Sequence, residues 1–401
     1  MQKIELLAPA GNLEKAKIAL EYGADAVYIG GKSFSLRARA SNFDLKDIET
    51  LCIFAHKRHK KVYVTTNILP HDEDMVGLDA YLLGLGQAQV DAIITSSLTI
   101  ILRAKQLIPQ VERHISTQMS ITNHQTLHFY KQLECQRVVL AREVSLKEME
   151  QIAKYQLTEL EVFIHGGMCS SYSGRCVLSN HLTNRDANRG GCAHSCRWNY
   201  HLLKKGKMLE KKEVFFNMGS KDLMAIHFIP QLIDMGITSL KIEGRMKSAY
   251  YLATVVRCYR MLIDQYLEKG KLEDSDYLYF EKEMAKAENR LTATGFLKGD
   301  VTVQEQLYDT RTESPTKEYV GYVLDYQPDT HRALIEQRNY FKLGDVVEFF
   351  GPTLANTTCT IIDIVDATTD ERLDVARHPM QQLYISVPFD IQKGDMMRLV
   401  K

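Results

Sequence analysis

The segment Tyr22–Gly30, YGADAVYIG, shows the pattern that decides the fold: a turn of small residues runs directly into a short apolar strand. Similar turns open the strands within Ala88–Ser96 (AQVDAIITS) and Met235–Gly244 (MGITSLKIEG). Amphipathic stretches such as Leu13–Tyr22 and Leu45–His59 lie between the strands. A strand followed by a helix, repeated in this way, predicts βα units and a parallel sheet.

Eight apolar strand cores follow this pattern, at Ile4–Ala8, Ala26–Ile29, Val62–Thr65, Ala92–Thr95, His114–Thr117, Arg137–Leu140, Glu161–Ile164 and Ser239–Ile242. Eight such units predict an α/β fold of the TIM type, a (β/α)8 barrel, over residues 1–270. A long insertion, residues 165–215, separates the seventh strand from the eighth. Because active sites of this fold lie at the carboxyl ends of the strands, we expect the insertion on the catalytic face.

The pattern changes toward the C-terminus. Residues 271–294 read as a charged helical linker, and residues 295–401 as short alternating strands separated by turns. The latter pattern predicts a C-terminal domain that is a small antiparallel β-barrel.

The insertion contains four of the eight cysteines, spaced C-x6-C-x15-C-x3-C: Cys169, Cys176, Cys192 and Cys196. No signal peptide and no membrane span can be recognised, so we expect a cytoplasmic protein without membrane contact. Thiols stay reduced in that compartment, which favours metal ligation over disulfides. The loose spacing and the glycine- and serine-rich surroundings favour an iron–sulfur cluster; zinc and unliganded cysteines are the alternatives.

The charges are unevenly distributed, although the chain as a whole has no formal net charge. Residues 169–212 carry a net charge of +7, and residues 295–401 a net charge of −6. A basic surface beside the cysteines is a candidate footprint for RNA, with the predicted contacts Arg185, Arg189, Arg197, Lys204, Lys205 and Lys207. The lysines flank a predicted hairpin around Gly206. Their alternative role there is to keep an exposed strand edge from pairing with strands of other chains.

Polar residues stand at or just after the predicted strand ends, where side chains point into the mouth of a barrel. Glu143, Glu243 and His165 are candidates for acid–base chemistry, and His165 precedes the first clustered cysteine by four residues. Arg142 and Arg245 can hold the carboxylates of a dicarboxylate by paired hydrogen bonds, unless Arg–Glu pairs simply close the barrel rim. The other predicted substrate-binding residues are Asn12, Arg37, Arg39, Asn42, Asn67 and Gln118.

Sequence elements along the whole chain carry a family resemblance. They include LLAPAGN near the start, VFIHGGMCSSYSGRCVLSN and NRGGCAHSCR around the cysteines, and LKIEGRMKSAYY at the eighth strand. Together they resemble the collagenase-like peptidase family U, number thirty-two. The pair His194-Ser195 departs from the Gln-Pro that members often have between the last two cysteines.

The resemblance implies an oxygen-independent hydroxylation protein with a [4Fe–4S] cluster on Cys169, Cys176, Cys192 and Cys196. Members of about this length with an appended β-barrel look like the tRNA proteins, which form 5-hydroxyuridine at the wobble position with prephenate as precursor. The implied partners are tRNA, an electron donor of unknown identity and a paralogous family member.

Other functions stay open from the sequence. One is a peptidase, as the older family name says, although the chain has neither H-E-x-x-H nor G-x-S-x-G. The others are hydroxylation of an rRNA cytidine or of a quinone, and a non-catalytic iron–sulfur protein that binds RNA for a partner.

Overall fold

The structure, a computed structural model, describes residues 4–36, 42–209, 216–287, 290–307 and 318–400. The chain divides into two compact units. The first comprises residues 1–282 and 290–314, and the second comprises residues 283–289 and 315–401. Residues 295–307, which the sequence pattern assigns to the C-terminal domain, therefore cluster with the barrel instead.

The first unit is a closed barrel of eight parallel strands with helices between them, as predicted. Its first seven strands are β1 (Glu5–Pro9), β2 (Ala26–Gly30), β3 (Lys61–Thr66), β4 (Ala92–Thr95), β5 (Glu112–Ile115), β6 (Arg137–Val139) and β7 (Glu159–Gly166). The insertion adds the hairpin β8 (Leu203–Lys204) and β9 (Lys207–Met208), and β10 (Asp222–Met224) antiparallel to β7. Strand β11 (Ser239–Ile242) pairs with both β7 and β1 and so closes the barrel, while β12 (Thr292–Ala293) lies beside β10.

Six of the helices begin where a side chain accepts a hydrogen bond from a free backbone amide of the first turn. Such N-caps are Asn12, Asp44, Ser97, Asn123, Ser145 and Ser248. The helices are α1 (Leu13–Glu21), α2 (Leu45–His56), α3 (Leu78–Gln87), α4 (Leu98–Leu107), α5 (His124–Gln132), α6 (Leu146–Ala153), α7 (Leu178–Thr183), α8 (Ile229–Asp234), α9 (Ala249–Lys269) and α10 (Asp274–Ala285). Over the described ranges, none of them combines the length and apolar character needed to cross a membrane.

A cluster of charged and polar side chains fills the barrel near the amino ends of its strands. The Glu161 carboxylate is fully buried and accepts hydrogen bonds from Lys241 Nζ at 2.6 Å and from Arg137 Nη1 at 3.3 Å. Arg137 also bonds Glu5, whose other oxygen accepts a hydrogen bond from Tyr63 at 2.6 Å. Burial alone would raise the pKa of Glu161, but Lys241 and Arg137 outweigh it and hold that pKa below its ordinary value. Sequence reasoning missed this barrel charge cluster, because it treated these positions as ordinary strand residues.

The second unit is an antiparallel β domain, a half-barrel around an apolar core. Its strands are β13 (Tyr319–Gln327), β14 (Arg332–Gln337), β15 (Phe341–Lys342), β16 (Val346–Phe350), β17 (Thr357–Thr360), β18 (Val365–Asp366), β19 (Val375–Ala376), β20 (Gln382–Ser386) and β21 (Met396–Leu399). The six longer strands lie in the stretch whose alternating pattern predicts the domain, whereas strands of two residues give no periodic signal. The guanidinium of Arg398, which is 1% exposed, bonds Glu283 at 2.7 Å and Glu348 at 2.6 Å.

Removing the central carboxylate of the barrel charge cluster should destabilise the first unit. We expect Glu161→Gln to lower its free energy of unfolding by about 3–5 kcal/mol, because Lys241 stays buried without its counter-charge. Urea denaturation of the full chain measures this loss. The matched control is Glu150→Gln, which removes the carboxylate of an exposed pair with Lys154 and should cost about 0.5 kcal/mol or less. Equal losses in the two variants would contradict the role of the cluster.

Candidate functional site

The mouth of the barrel, at the carboxyl ends of its strands, carries an ion pair. Glu243 follows β11, and its Oε2 atom lies 3.6 Å from Arg142 Nη2 and accepts a hydrogen bond from the Tyr28 hydroxyl at 3.1 Å. The Arg142 guanidinium also lies 3.8 Å from the ring centroid of Phe163. Arg142 and Glu243 therefore form the Arg–Glu pair at the barrel rim, which the sequence left open as the alternative to dicarboxylate binding. Tyr28 was not predicted as a site residue. It lies on β2 two residues before the strand ends, and side chains alternate along a strand, so it faces the same side of the sheet as the last strand residue.

A second cation lies deeper in the mouth. Arg245 is 5% exposed, and its Nη1 donates to the hydroxyls of Ser35 and Thr65, each at 3.1 Å. A side chain at Gly30 could not coexist with this arrangement, since its Cβ would lie 2.3 Å from Nη1. Small residues on β2 and β3 thus make room for the guanidinium. Together with Arg142 it makes the mouth suited to an anionic substrate.

His165 lies against helix α9. Its ring packs on Tyr251 and Tyr259, and its Nδ1 is 3.3 Å from the Tyr259 hydroxyl. The pairing of β7 with β11 shifts register between Lys241 and Ile242, and a bulge of this kind re-aims the side chains that follow it. Burial lowers the pKa of His165 to about 4, although Asp222 acts in the opposite direction. The ring is therefore neutral at pH 7, a state that suits hydrogen bonding, and its role in proton transfer stays a prediction.

Glu143 anchors the cysteine loop, defined here as residues 167–198. Its two oxygens accept hydrogen bonds from the backbone N–H of Ser173 at 3.0 Å and from the Ser173 hydroxyl at 2.8 Å. The next residue, Gly174, has φ of +77°, and a Cβ there would lie 2.0 Å from the carbonyl oxygen of Gln118. Glu143, predicted to act as an acid or base, thus holds the stretch between Cys169 and Cys176. The backbone of Gln118, predicted to bind substrate, lies close against Gly174 in the same stretch.

The second half of the loop is fixed by residues after β3. Asn188 donates to the carbonyl of Cys176 at 2.9 Å, and its own carbonyl accepts from the backbone N–H of Leu69 at 2.9 Å. Arg189 forms two hydrogen bonds of 2.8 Å with Asp74, and these hold the pKa of that carboxyl below its ordinary value. Arg189 also bonds Glu73 at 2.5 Å. Arg189 thus forms ion pairs with carboxylates of the same chain, and its contact with RNA stays a prediction.

The other predicted RNA-binding residues fall into two groups. Arg185 donates to the carbonyl of Cys192 at 3.3 Å, and Arg197 donates to the carbonyl of Met168 at 3.5 Å. Both arginines thus bond the cysteine loop itself. In contrast, all three lysines are exposed on the β8–β9 hairpin: Lys204, Lys205 and Lys207.

The remaining predicted residues have local roles or lie elsewhere. Asn12 Oδ1 accepts the backbone N–H of Lys15 at 2.9 Å as the cap of α1. Asn67 Oδ1 accepts the backbone N–H of Leu36 at 3.3 Å. Asn42 is half-buried in the loop after β2. Two residues lie outside the described part of the chain: Arg37 and Arg39.

The four clustered cysteines carry free thiols. Cys169 is exposed as a residue, yet protein packed around its sulfur raises the pKa of the thiol, and the nearby Cys196 and Cys176 act in the same direction. Over the described ranges, no three or more His, Cys, Asp or Glu side chains stand ready to hold a metal ion. The loop therefore gathers thiols at the mouth without assembling them into a finished ligand set.

Fold and site together define a class of protein: a (β/α)8 barrel with a four-cysteine insertion after its seventh strand, followed by an antiparallel β domain. Comparison with known families agrees with this description. The profile of peptidase family U32 matches residues 11–307, and that of the family's C-terminal domain matches residues 315–398. The chain belongs to peptidase family U32.

Several relatives match along nearly the whole chain. Over 406 residues it is 47% identical to tRNA hydroxylation protein P1 of Bacillus subtilis, covering 99% of this chain and 95% of that protein. It is 32% identical to tRNA hydroxylation protein P of Escherichia coli, covering 98% and 95%. A crystal structure of the C-terminal domain of a putative U32 peptidase from Geobacillus thermoleovorans is 42% identical, covers 22% of this chain and 98% of that one, and has a TM-score of 0.21.

The neutral state of His165 should make stability depend on pH. The unfolded chain takes up this proton near pH 6.5, while the folded chain does not until about pH 4, so protons favour the unfolded state. The stabilisation is complete above pH 6.5 and is lost as the pH falls toward 4. We expect the difference in unfolding free energy between the metal-free protein and its His165→Gln variant to shrink by about 2 kcal/mol between roughly pH 7 and roughly pH 5. A difference that does not change with pH would contradict this assignment.

The anchor at Glu143 should be visible in the reactivity of the loop. In the metal-free protein, Glu143→Ala removes two hydrogen bonds to a charged acceptor, each worth about 1.5–3 kcal/mol. We expect Cys169 and Cys176 to react with a thiol reagent at least about tenfold faster, since a loss of 1.4 kcal/mol already corresponds to about tenfold. Mass spectrometry of the labelled peptides measures the rates, and Glu150→Ala is the control. Unchanged rates would show that Glu143 does not hold the loop.

Proposed function

We propose that the protein is an RNA hydroxylation enzyme that forms 5-hydroxyuridine at the wobble position of tRNA. Relatives named tRNA hydroxylation proteins match nearly the full chain, which supports RNA hydroxylation and tRNA as the substrate. The observation that carries the proposal is the position of the cysteine loop. It brings four free thiols to the mouth that also holds Arg142, Glu243 and Arg245.

The donor set of the cysteine loop fits a [4Fe–4S] cluster, held by Cys169, Cys176, Cys192 and Cys196. The chemistry of four thiols on one loop supports this. So does Ser195, whose hydroxyl is buried between the last two cysteines and, over the described residues, has no hydrogen-bond partner. A sulfur-rich group would give that hydroxyl an acceptor. When bound, such a cluster supplies electron-transfer chemistry that a reaction without molecular oxygen needs.

The protein's own residues explain why an anionic precursor would bind. We propose that prephenate, which has two carboxylates, is held by Arg142 and Arg245. Arg245 is oriented by Ser35 and Thr65, and burial strengthens its hydrogen bonds to an anion. Glu243, bonded to Tyr28, lies where it can hold a proton beside the bound anion.

The metal content of protein purified without oxygen tests the cofactor. We expect about four irons and four sulfides per chain. Cys169→Ser should lose them, whereas Cys359→Ser, which changes a cysteine of the second unit, should keep them. One zinc and no sulfide would contradict the cluster.

Mass spectrometry of tRNA nucleosides tests the reaction. In a strain that lacks this protein and its paralogues, the wild-type chain should restore a wobble uridine one oxygen heavier, and Arg245→Ala should not. RNA binding without turnover, in the presence of reductant and prephenate, would favour an accessory protein. Peptide cleavage that survives removal of the cluster would favour a peptidase.

A further inference from the structure

The β8–β9 hairpin stands apart from the rest of the first unit. Its two strands pair with each other and form a sheet of their own. The turn residues Lys205 and Gly206 both have positive φ, of 50° and 75°, as a two-residue hairpin turn of type I′ requires. Every residue from His201 to Leu209 is exposed. A two-stranded hairpin without a packed face is only marginally stable in water, so this segment gains from a binding partner.

One face of the hairpin concentrates positive charge. Lys204 lies directly opposite Lys207, and Lys205 follows at the turn. Like charges facing each other across two strands destabilise a hairpin. Among the described residues, no carboxylate pairs with any of these three lysines. The arrangement costs stability in the free protein and suits a polyanion, whose phosphates would relieve the repulsion.

The opposite face is apolar. Leu203 pairs with Met208 across the strands, and because side chains alternate, this pair faces away from Lys204 and Lys207. Leu203 is 62% exposed. At the base of the hairpin, Trp198 is 45% exposed. Leucine and methionine side chains act as wedges between bases in proteins that unstack nucleic acids, and aromatic rings stack on bases that have been splayed out.

The stem of the hairpin is tied to the cysteine loop. Tyr200 and Phe216 exchange backbone hydrogen bonds of 2.7 and 2.9 Å across the stem, and Met218 N–H donates to the carbonyl of Cys196 at 2.8 Å. The hairpin is therefore attached at the mouth of the barrel. An enzyme that modifies a base must take that base out of its stack before it can reach the reacting group.

We propose that the β8–β9 hairpin and Trp198 form an RNA-unstacking finger: its lysine face contacts phosphates, while Leu203, Met208 and Trp198 contact the bases beside the modified nucleotide. This inference rests on the proposed function, because it takes a single-stranded RNA loop as the partner. Charge complementarity favours RNA over a protein. The finger would hold the loop open so that one base enters the mouth.

The full-length protein and a stem–loop RNA with the anticodon sequence test the finger. Trp198 is the only tryptophan of the chain, so its fluorescence reports on the base of the hairpin. A 2-aminopurine next to the wobble position reports on unstacking. We expect wild-type protein to show quenched tryptophan emission and increased 2-aminopurine emission when RNA binds.

Two variants separate the faces of the finger. Lys204→Ala/Lys207→Ala should weaken binding about tenfold and lower the dependence of log Kd on log salt by about 1.4, or 0.7 per phosphate contact. The matched control is Lys57→Ala/Lys61→Ala, which removes two exposed lysines at the amino end of the barrel and should change neither quantity. Leu203→Ser/Met208→Ser should keep the salt dependence and lose the 2-aminopurine signal.

The outcomes distinguish failure of the finger from failure of the proposed function. If both hairpin variants bind RNA as the wild type does, with unchanged signals, the finger is refuted; hydroxylation that continues would show that the proposed function survives. If wild-type protein neither binds nor hydroxylates the RNA, both proposals fail. If the serine variant alters only self-association, the apolar face serves a protein contact and the finger is refuted. Because all substituted side chains are exposed, circular dichroism should show an unchanged fold for every variant.

Discussion

The buried carboxylate of Glu161, held between Lys241 and Arg137, is the constraint on which the barrel depends. A charge this deeply buried is tolerated only when its partners stand at bonding distance, so strands β6, β7 and β11 must keep one register. A shift of one residue would turn Lys241 outward and leave Glu161 without it. The same register places Phe163, two residues farther along β7, on the interior side, whereas the bulge between Lys241 and Ile242 sets the direction of Glu243 after β11. The ion pair near the amino ends thereby helps to shape the mouth at the opposite end.

Some charged residues around the mouth bond the cysteine loop and so fix its position. Glu143 binds Ser173, and Asp74 binds Arg189, so both halves of the loop are fixed by carboxylates from neighbouring βα loops. Glu143 and Asp74 are thereby engaged with the loop, whereas Arg142, Glu243 and Arg245 lie at the mouth itself. A loop held in this way keeps thiols near one another, as ligands of one large metal group must be. Its glycines and serines allow the backbone to approach the group closely.

The basic residues of the insertion fall into two groups, arginines and lysines. Three of its arginines, Arg185, Arg189 and Arg197, lie inside the cysteine loop, where each bonds a carbonyl or a carboxylate and stiffens the loop. Lys204, Lys205 and Lys207 stand on the exposed hairpin, where Lys204 and Lys207 lie opposite each other. Charge counted along the sequence treats both groups alike, whereas in the structure these three arginines bond the protein itself and the three lysines are exposed. This division supports a hairpin that meets RNA while the arginines hold the thiols in place.

The sequence by itself determined the barrel, the place of the insertion, the set of four cysteines and most of the antiparallel domain. These features depend on local signals: alternation of apolar residues, glycine-bearing turns, caps such as Ser145, and the spacing of thiols. Only the tertiary structure decided which side chains contact each other. Glu161 meets Lys241, Arg142 meets Glu243, and Glu143 meets Ser173 across long stretches of chain, and the bulge between β7 and β11 brings His165 against α9. Such pairings follow from strand register and loop packing, which short-range sequence patterns do not encode, because each depends on where distant segments come to rest.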